Sequence, residues 1–501
     1  MHTVTLDMKS LPLMPEEGLL LGNGDFSVSL YYQPDRLIWR FGKNDVWDRR
    51  QDKEIDPAPM HIDELRRGVS DEGWQFDPET LVTMPTRGDA DVERVKEVTQ
   101  YGPPSYRERP YPCPKPVGEL AMDLPCDLHG LEITQTLTIE DGVIDIELTW
   151  AEGLSIKLHS LVPPTPNVLL IDWELAGVSE IARTWRSRGV RFSLYRWPDP
   201  TAEEFNRKAQ LHSLNDMYVK FCGRDISPLP APTVRDLGGL PMLEQTFFPD
   251  LEYAEGFRYG LLPIGNDART EEVVTAGNGL AMIRVLPRHG ATAGSLAVAM
   301  GTSGDDGGHE APLAEAGAEL AKDFAGVADH WRTTNAASAA DYWSQSSVTC
   351  SDAFVEDLWY ETLHARRCCY RGDVVAPGLF LPSTLNDFSL WHGDYHTNYN
   401  YQSPFWGGYE ANQLTLGDSY FPGFAYMIEL GRKLAKDYFN AGGTYIQLTG
   451  FPFPMDHDPY GVGPFSRMSY MTGWAVNQYW FRWLYTQDAE WLAAEGYPVL
   501  R

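Results

Sequence analysis

Apolar and polar residues alternate along most of the amino-terminal part of the chain, which is the pattern of half-buried β-strands. In the clearest hairpin, the alternating runs 132–139 and 143–150 flank Asp141-Gly142, a pair that favours a two-residue type I′ turn. Further strands are predicted at 19–32, 36–41, 155–161, 168–175, 190–195, 218–221, 243–248, 280–286 and 295–300. Strands in succession, with turn residues between them, predict an antiparallel β-sandwich over residues 1–305.

Two segments interrupt this pattern. Residues 48–115 are rich in Pro, Asp and Arg with weak periodicity, which predicts a long loop or an insertion. The glycine-rich stretch 301–308 predicts a flexible break after the last strand. Apolar residues then recur at helical spacing, so helices at 314–330 and 337–343 are predicted to form a helical linker over residues 306–350.

Residues 351–501 are predicted to be helical. Asp352 is expected to cap a helix at 354–369, whose apolar face includes Phe354, Leu358 and Leu363 and whose carboxyl end is basic. Three more helices are predicted: one around 424–438 that Gly442 and Gly443 end, one at 470–485, and one at 489–495 capped by Asp488.

Composition and charge narrow the class of protein. The 501 residues are 43% hydrophobic and have a net charge of −29, which fits globular domains and argues against nucleic acids or anionic membranes as partners. The six cysteines show no zinc-binding spacing, so no metal site or cofactor is expected. The amino terminus lacks a signal-peptide pattern and no run is apolar enough to span a bilayer, which predicts a cytoplasmic protein.

The stretch 391–410, WHGDYHTNYNYQSPFWGGYE, alternates hydrogen-bonding side chains with large aromatic rings. Buried polar groups are costly without partners, and large exposed aromatic patches are rare, so the mixture favours a pocket that stacks rings on a sugar and hydrogen-bonds its hydroxyls. A carbohydrate is therefore the expected substrate. The predicted substrate-binding residues are Trp391, Asp394, His396, Gln402, Trp406 and Glu410, together with Asp458.

Asn398 and Asn400 are two residues apart within this stretch. In an extended backbone their amides would point to one side and could hold a hydroxyl or a water. The spacing fits a tight turn equally well, because Asn favours turns.

The same segment carries a family resemblance. Residues 395–406, YHTNYNYQSPFW, resemble the TNIN-x-E-MNYW motif of glycoside hydrolase family 95, the inverting α-L-fucosidases and α-L-galactosidases. Residues 17–24, 44–47 and 431–500 resemble further family segments in the same order. Gln402 stands where the family usually has Glu, and Pro404 where it has Asn.

The resemblance implies a β-sandwich followed by an (α/α)6 barrel, of which 351–501 would be the amino-terminal part. It implies that Asn398 and Asn400 orient the nucleophilic water of an inverting hydrolase, which also needs a carboxylic acid for the leaving oxygen. In the family that acid follows the stretch that resembles 497–500. Residues 1–501 are therefore expected to lack the acid, to form an incomplete barrel with exposed core surface, and to be inactive alone.

Two other functions stay open. A polysaccharide lyase also pairs an α/α toroid with a β-sandwich and could use His396, Asn398 and Tyr399, but lyases of uronates favour basic clefts. A non-catalytic carbohydrate-binding remnant is the third possibility. Metal binding at Asp456, His457 and Asp458 is not expected, because adjacent residues seldom converge on one ion.

Overall fold

The computed structural model describes residues 2–51, 61–63, 74–77, 82–85, 111–125, 128–177, 179–180, 183–184, 187, 189–201, 227–266, 268–272, 279–387, 389–459, 468 and 470–501. The predicted strand at 218–221 and most of the predicted loop at 48–115 lie outside these residues.

Antiparallel strands fill the amino-terminal part of the described chain, as the alternating pattern predicts. They are β1 (Thr3–Asp7), β2 (Leu19–Gly22), β3 (Phe26–Gln33), β4 (Arg36–Lys43), β5 (Trp47–Asp48), β6 (Trp74–Asp77), β7 (Val82–Pro85), β8 (Cys113–Pro114), β9 (Gly118–Asp123), β10 (Glu132–Thr138), β11 (Val143–Thr149), β12 (Leu154–Leu161), β13 (Val168–Gly177), β14 (Phe192–Arg196), β15 (Thr233–Leu237), β16 (Leu240–Thr246), β17 (Arg258–Gly265), β18 (Ala268–Glu272), β19 (Ala281–Pro287) and β20 (Ala293–Thr302).

These strands form two large sheets. One has the order β1-β10-β11-β12-β13-β20-β17-β16-β15 and the other β18-β19-β14-β9-β4-β3-β2. Side chains of both sheets, among them Trp39, Ile146 and Leu243, belong to one hydrophobic core. Each sheet therefore buries one face of its alternating strands against the other, which is a sandwich arrangement.

The turn between β10 and β11 differs from the prediction. Thr138 pairs with Val143, so four residues connect the strands instead of a two-residue type I′ turn. Of these four, Gly142 alone has a positive φ, of 63°, and its N–H donates to the carbonyl of Thr138 at 2.9 Å. A type I′ turn needs positive φ at both central residues, and Asp141 does not adopt it.

Helices dominate from residue 311 onward. The α-helices are Ala311–Ser344, Ala353–Cys369, Ser403–Glu410, Leu414–Asp418, Tyr420–Phe439, Met471–Thr486, Ala489–Trp491 and Tyr497–Leu500. Helical turns of other types span Pro15–Glu17, Pro382–Thr384, Leu390–Gly393 and Leu492–Gly496, and a two-residue ladder joins β21 (Tyr395–His396) to β22 (Thr449–Gly450). The fold class of sheets followed by helices is thus confirmed, while the barrel and the division at 305 and 350 stay predictions.

The predicted pair of linker helices is one helix, Ala311–Ser344, with a non-helical residue at Asp323. The predicted break near 331–336 is wrong because Trp331 and Asn335 there are buried. Trp331 packs in a cluster with residues of the nine-stranded sheet that contains β13 and β20. Asn335 donates to the carbonyl of Asp141 at 2.8 Å. Tertiary contacts thus outweigh the weak helix propensity of the TTN sequence.

The helix Ala353–Cys369 has the predicted N-cap, since Asp352 accepts from the N–H of Phe354 at 3.1 Å. Its predicted apolar face is correct at Leu363, which is buried, and wrong at Phe354 and Leu358, which are 74% and 50% exposed. Besides Leu363 the helix buries Tyr360, His364, Cys368 and Cys369.

Two predicted helix ends also change. The helix Tyr420–Phe439 ends at Asn440, which is left-handed, before the two glycines. Asp488 caps the last helical segment by accepting from the N–H of Trp491, as predicted. That segment continues to Leu500 instead of stopping at Glu495, because Pro498 lies in the first turn of Tyr497–Leu500, where proline is tolerated.

The family-like segments 17–24 and 44–47 join the sheets to the helices. A Cβ on Gly22 would lie 2.2 Å from the carbonyl oxygen of Cys368, so only glycine fits this close approach. The Asn44 amide nitrogen lies within 3.0 Å of the carbonyl oxygens of Gly24, Cys369 and Val375. Both segments therefore face the helical part.

Trp47 completes the joint. Its side chain is 1% exposed and packs edge-on against Tyr395 and Phe451, and against Phe453, in the aromatic core of the helical part. A residue of the amino-terminal part is therefore a core residue of the carboxyl-terminal part.

A buried ion network makes a second attachment. Lys115 and Arg196 are fully buried, and both contact the carboxylate of Asp199. Arg196 also bonds Asp387 at 2.8 Å, and Lys115 donates to the carbonyl of Asp387 at 2.9 Å. The segment that leads into the motif is thus fixed to the sandwich by paired charges.

Candidate functional site

The motif begins with strained backbone. Trp391, His392 and Gly393 have φ values of 48°, 55° and 57°, a conformation that non-glycine residues avoid. The surroundings hold it in place, since the imidazole of His392 lies 2.9 Å from the carbonyl of Pro112 and the N–H of Leu379 donates to the carbonyl of Gly393. Trp391 is 45% exposed as a result. Such strain is typical of functional segments.

Asp394 and His396 form the next pair. Asp394 is fully buried and its carboxylate lies 3.0 Å from the imidazole of His396. Burial alone would lower the pKa of His396, but the charge and hydrogen bond of Asp394 outweigh it and raise this pKa. The ring is therefore held in one orientation, and its protonated form is favoured. A protonated imidazole could donate a hydrogen bond to a sugar oxygen.

The segment 397–400 is a turn and not an extended strand. The N–H of Tyr401 closes it on the carbonyl of His396. Asn398 is half-buried, while Asn400 is exposed. Asn398 and Asn400 therefore do not share one side of a strand, as their spacing had predicted. Their proposed roles stay predictions.

Asn398 and Gln402 nevertheless differ in a way that bears on function. The Oδ1 atom of Asn398 is buried without a hydrogen-bond partner. Gln402 is 1% exposed and its amide donates to the carbonyl of Thr397 at 2.6 Å. Gln402 thus supports the turn through its amide nitrogen, but its Oε1 atom, like the Oδ1 atom of Asn398, is a buried acceptor without a partner that a ligand or a water could satisfy.

Aromatic contacts carry the motif into the helices. The ring of Tyr399, which is 54% exposed, meets Trp406 edge-on at 5.5 Å, and Trp406 meets Trp474 edge-on at 5.7 Å. Trp406 lies on Ser403–Glu410 and Trp474 on Met471–Thr486. The rings therefore form a continuous row from the turn to a groove between two helices.

We call this groove the aromatic cleft. It has a volume of about 320 Å³. Its lining residues are Trp406, Tyr409, Glu410, Trp474, Asn477, Gln478, Phe481 and Tyr485.

Buried polar atoms of the aromatic cleft lack hydrogen-bond partners. They are the amide oxygen of Gln478, which is 1% exposed, and the indole nitrogen of Trp474, while the Gln478 amide nitrogen is the hydrogen-bond partner of the Tyr409 hydroxyl. Glu410 is exposed and accepts from the hydroxyl of Tyr485 at 2.9 Å. Unsatisfied buried polar groups are rare in native proteins, so these atoms indicate a place for a polar ligand or for ordered water.

The predicted site residues therefore fall into separate groups. Trp406 and Glu410 line the aromatic cleft, and Asn398 adjoins Tyr399 at one end of its row of rings. Trp391, Asp394 and His396 lie on the strained approach to the turn. Gln402 lies beneath the turn, as the bond to Thr397 shows.

Asp458 is 6% exposed and does not line the aromatic cleft. It lies in a loop that contacts the amino-terminal part. The N–H of Asp456 donates to Gln51 at 3.1 Å, and Asp456 pairs with His457 at 2.5 Å.

Three residues that line the cleft were not predicted from the sequence: Tyr409, and on one helix Trp474 and Gln478. Their signal was the spacing 474, 478, 481 and 485 on a helix, which places a Trp, a Gln, a Phe and a Tyr on one face. Aromatic residues at that spacing usually form a core, so the sequence does not show that this face is a cleft.

One cluster of metal-ligating side chains occurs in the part of the chain that the structure describes, at Glu244, His309 and Glu310. Arg235 makes ion pairs with both carboxylates, at 2.8 Å to Glu244. His309 lies 2.6 Å from Glu244. The arginine already supplies the positive charge that a metal ion would bring.

Comparison with known proteins places these observations in a class. Residues 384–501 match the Glycosyl hydrolase family 95 catalytic domain. The resemblance of this part of the chain to family 95 is therefore confirmed. None of the curated proteins matches the chain.

Solved structures support the fold. A putative kojibiose phosphorylase from human microbiome matches all of the chain with a TM-score of 0.59 at 9% identity, and the chain spans 58% of that structure's length. A bacterial glucoamylase complexed with acarbose has a TM-score of 0.38 at 8% identity, over 69% of this chain and 46% of that one. A family GH92 alpha-mannosidase from Bacteroides thetaiotaomicron has 0.31 at 8%, over 95% and 55%. The first likeness shows a shared fold, and the other two are too weak to carry an argument.

Among the described residues, none of the helices is both long and apolar enough to cross a membrane.

Proposed function

We propose that the chain is part of a glycoside hydrolase that resembles inverting α-L-fucosidases and acts on terminal sugars of oligo- or polysaccharides. The observation that carries the proposal is the aromatic cleft, whose buried polar atoms lack partners and which lies within the residues that match family 95. Aromatic walls with a few polar groups are the usual chemistry of sugar binding.

Each group has a proposed role. The rings of Trp406 and Trp474 stack on the apolar face of a sugar, and Gln478 and Glu410 hydrogen-bond its hydroxyls. Asn398 and Asn400 orient the water that attacks the anomeric carbon, as the family resemblance implies. His396, held by Asp394, and Trp391 contact the sugar from the strained side of the turn.

Hydrolysis also needs an acid for the leaving oxygen. We expect residues 1–501 to bind a fucoside, and a protein without this acid to hydrolyse it about 10² to 10⁴ times more slowly than one that supplies the acid. Robust turnover would show that Glu410 or Asp458 takes this role.

Binding is the direct test. L-fucose and a fucosylated oligosaccharide should change the tryptophan fluorescence of the protein saturably. Trp474→Ala and Gln478→Leu should weaken that binding at least about tenfold, because each removes a wall or a hydrogen-bonding group of the cleft. Trp480→Ala is the matched control, since Trp480 lies on the same helix, is 46% exposed and does not line the cleft.

The outcomes separate the candidates. Equal loss of binding in the control and the cleft variants, or no binding of either sugar, would contradict the proposal. Tighter binding of a uronate oligomer than of a fucoside would favour the lyase alternative.

A further inference from the structure

Two adjacent arginines end the helix Ala353–Cys369 without an anionic partner. Neither Arg366 nor Arg367 makes a hydrogen bond or an ion pair with any residue that the structure describes. This is unusual in a chain with 70 acidic and 41 basic residues. Fully buried cations of the described chain, by contrast, have carboxylate partners: Lys43 contacts three aspartates, for example, and Arg196 contacts two.

The side chain of Arg367 is half-buried. Its central carbon lies 5.8 Å from the centre of the Tyr342 ring. On another side is the β10–β11 turn, where a Cβ on Gly142 would come within 2.6 Å of an Arg367 nitrogen. Burial lowers the pKa of Arg367, but a guanidinium keeps its charge near neutral pH.

Arg367 faces a cavity of about 420 Å³ between the sandwich and the helical part. Arg371 also lines it but is already paired with Asp373 at 2.6 Å. Ser338, Asn412 and Thr415 supply hydroxyl and amide groups. Among the described lining residues Asp341 is the one carboxylate; it is exposed and makes no ion pair with Arg367.

The helix terminus does not account for this arrangement. A cation in the last turn gains from the helix dipole, but an exposed arginine gains this as well. Arg367 does not donate to the last carbonyls of its helix. The dipole also does not explain why a half-buried guanidinium, which has lost part of its hydration, faces a cavity without a paired carboxylate.

We propose that this cavity binds a small oxyanion of the phosphate or sulfate class, free or esterified to a sugar, with Arg367 as its main charge partner. The planar guanidinium fork matches two oxygens of such an anion, and the hydroxyl and amide groups around it donate to the others. The site is separate from the aromatic cleft and does not depend on the sugar-binding proposal.

The test is thermal unfolding of the 501-residue protein in inorganic phosphate, sulfate or glucose 1-phosphate, each against chloride at equal ionic strength. A ligand that binds only the folded state raises the melting temperature, here by about 2 °C or more at a large excess over Kd. Arg367→Gln should abolish the rise. Arg366→Gln is the matched control and should keep it, because Arg366 ends the same helix but does not line the cavity.

The ligands distinguish the source of the anion. Equal protection by phosphate and glucose 1-phosphate indicates a free anion, and protection by glucose 1-phosphate alone indicates a sugar phosphate. No difference between the anions and chloride, or a rise that survives Arg367→Gln, would overturn the proposal.

Two measurements cover the case in which Arg367→Gln does not fold. Phosphorus NMR line broadening on the unmodified protein should saturate at one phosphate per chain, and an unsaturable response contradicts the site. Ser338→Glu places a carboxylate in the cavity and should remove the protection by phosphate in a folded protein.

Discussion

The sandwich and the helical part present different surfaces to water. Of the large hydrophobic side chains that are exposed, those in the described residues between 2 and 305 are Met8, Leu13, Met14 and Leu251. In the described residues from 351 onward they are Phe354, Val355, Leu358, Trp391, Tyr399, Tyr470, Trp480, Leu484, Tyr485 and Tyr497. Seven of these ten are aromatic, whereas none of the first four is.

The difference shows how the two parts divide their tasks. In the part of the sandwich that the structure describes, the aromatic side chains lie mainly in the core. The stability of the sandwich therefore comes from this one core. The helical part keeps rings at its surface and beside the aromatic cleft, where exposed apolar patches usually mark binding. We therefore expect substitutions at the joint to cost stability and substitutions in the cleft to cost binding.

The largest expected effect is at the joint. Trp47→Ala should lower the free energy of unfolding by about 3–5 kcal/mol, because it empties a buried site between three aromatic rings. Denaturant unfolding followed by helical circular dichroism should show the helical part melting early.

Trp480→Ala is the comparison, and it should change stability by less than about 0.5 kcal/mol, since its ring is largely exposed. Similar losses in the two variants would show that Trp47 does not couple the parts.

Acid should weaken the same joint. His364 lies on Ala353–Cys369 and contacts the carbonyl of Leu20 in β2 at 2.8 Å. Burial lowers its pKa to about 4, so the unfolded state takes up a proton first as the pH falls below the ordinary value near 6.5. Stability should then decrease between about pH 6.5 and 4, by up to about 3 kcal/mol.

His364→Gln should remove this part of the pH dependence while that of His129→Gln stays as in the unmodified protein, because the His129 side chain is 88% exposed. An unchanged slope in His364→Gln would exclude His364 as the cause.

The turn of the motif gives a smaller effect with a sharper contrast. Gln402→Ala should cost about 1–3 kcal/mol because it removes a buried hydrogen bond to Thr397. Asn398→Ala should change stability by less than about 0.5 kcal/mol, since its side-chain oxygen has no partner to lose.

Turnover in a protein that supplies the acid completes this test. Asn398→Ala and Asn400→Ala should lower it sharply at nearly unchanged melting temperature. If both variants melt early and their folded fraction is fully active, the pair serves the turn and not the chemistry.

The smallest expected change in stability is in the cleft. Tyr485→Phe removes only an exposed hydrogen bond to Glu410, so it should change the free energy of unfolding by less than about 1 kcal/mol. If Glu410 must be held in place to bind sugar, the affinity for a fucoside should fall more than the stability. Equal affinity in both proteins would remove Glu410 from the site.

The sequence predicts the fold better than the site. Alternating residues such as Ile133, Leu137, Ile144 and Ile146 identify β10 and β11, because a strand's period depends only on its own residues. The apolar face of Ala353–Cys369 was predicted correctly only at Leu363, since β2 determines that His364 and not Leu358 is buried. The aromatic cleft is harder still, because whether Trp474 and Gln478 pack in a core depends on a helix distant in sequence.

The joint also bears on where this protein can be divided. The match to the family 95 catalytic domain begins at residue 384, but a fragment that starts there would lose Trp47 from its aromatic core and Lys115 and Arg196 from Asp387. The fragment would also lack Asn44 together with Cys369 and Val375, whose carbonyls the Asn44 amide binds just before the motif. The start of the family match is thus not the start of an independently folding unit. Homologous recombination at that point would separate residues that pack together.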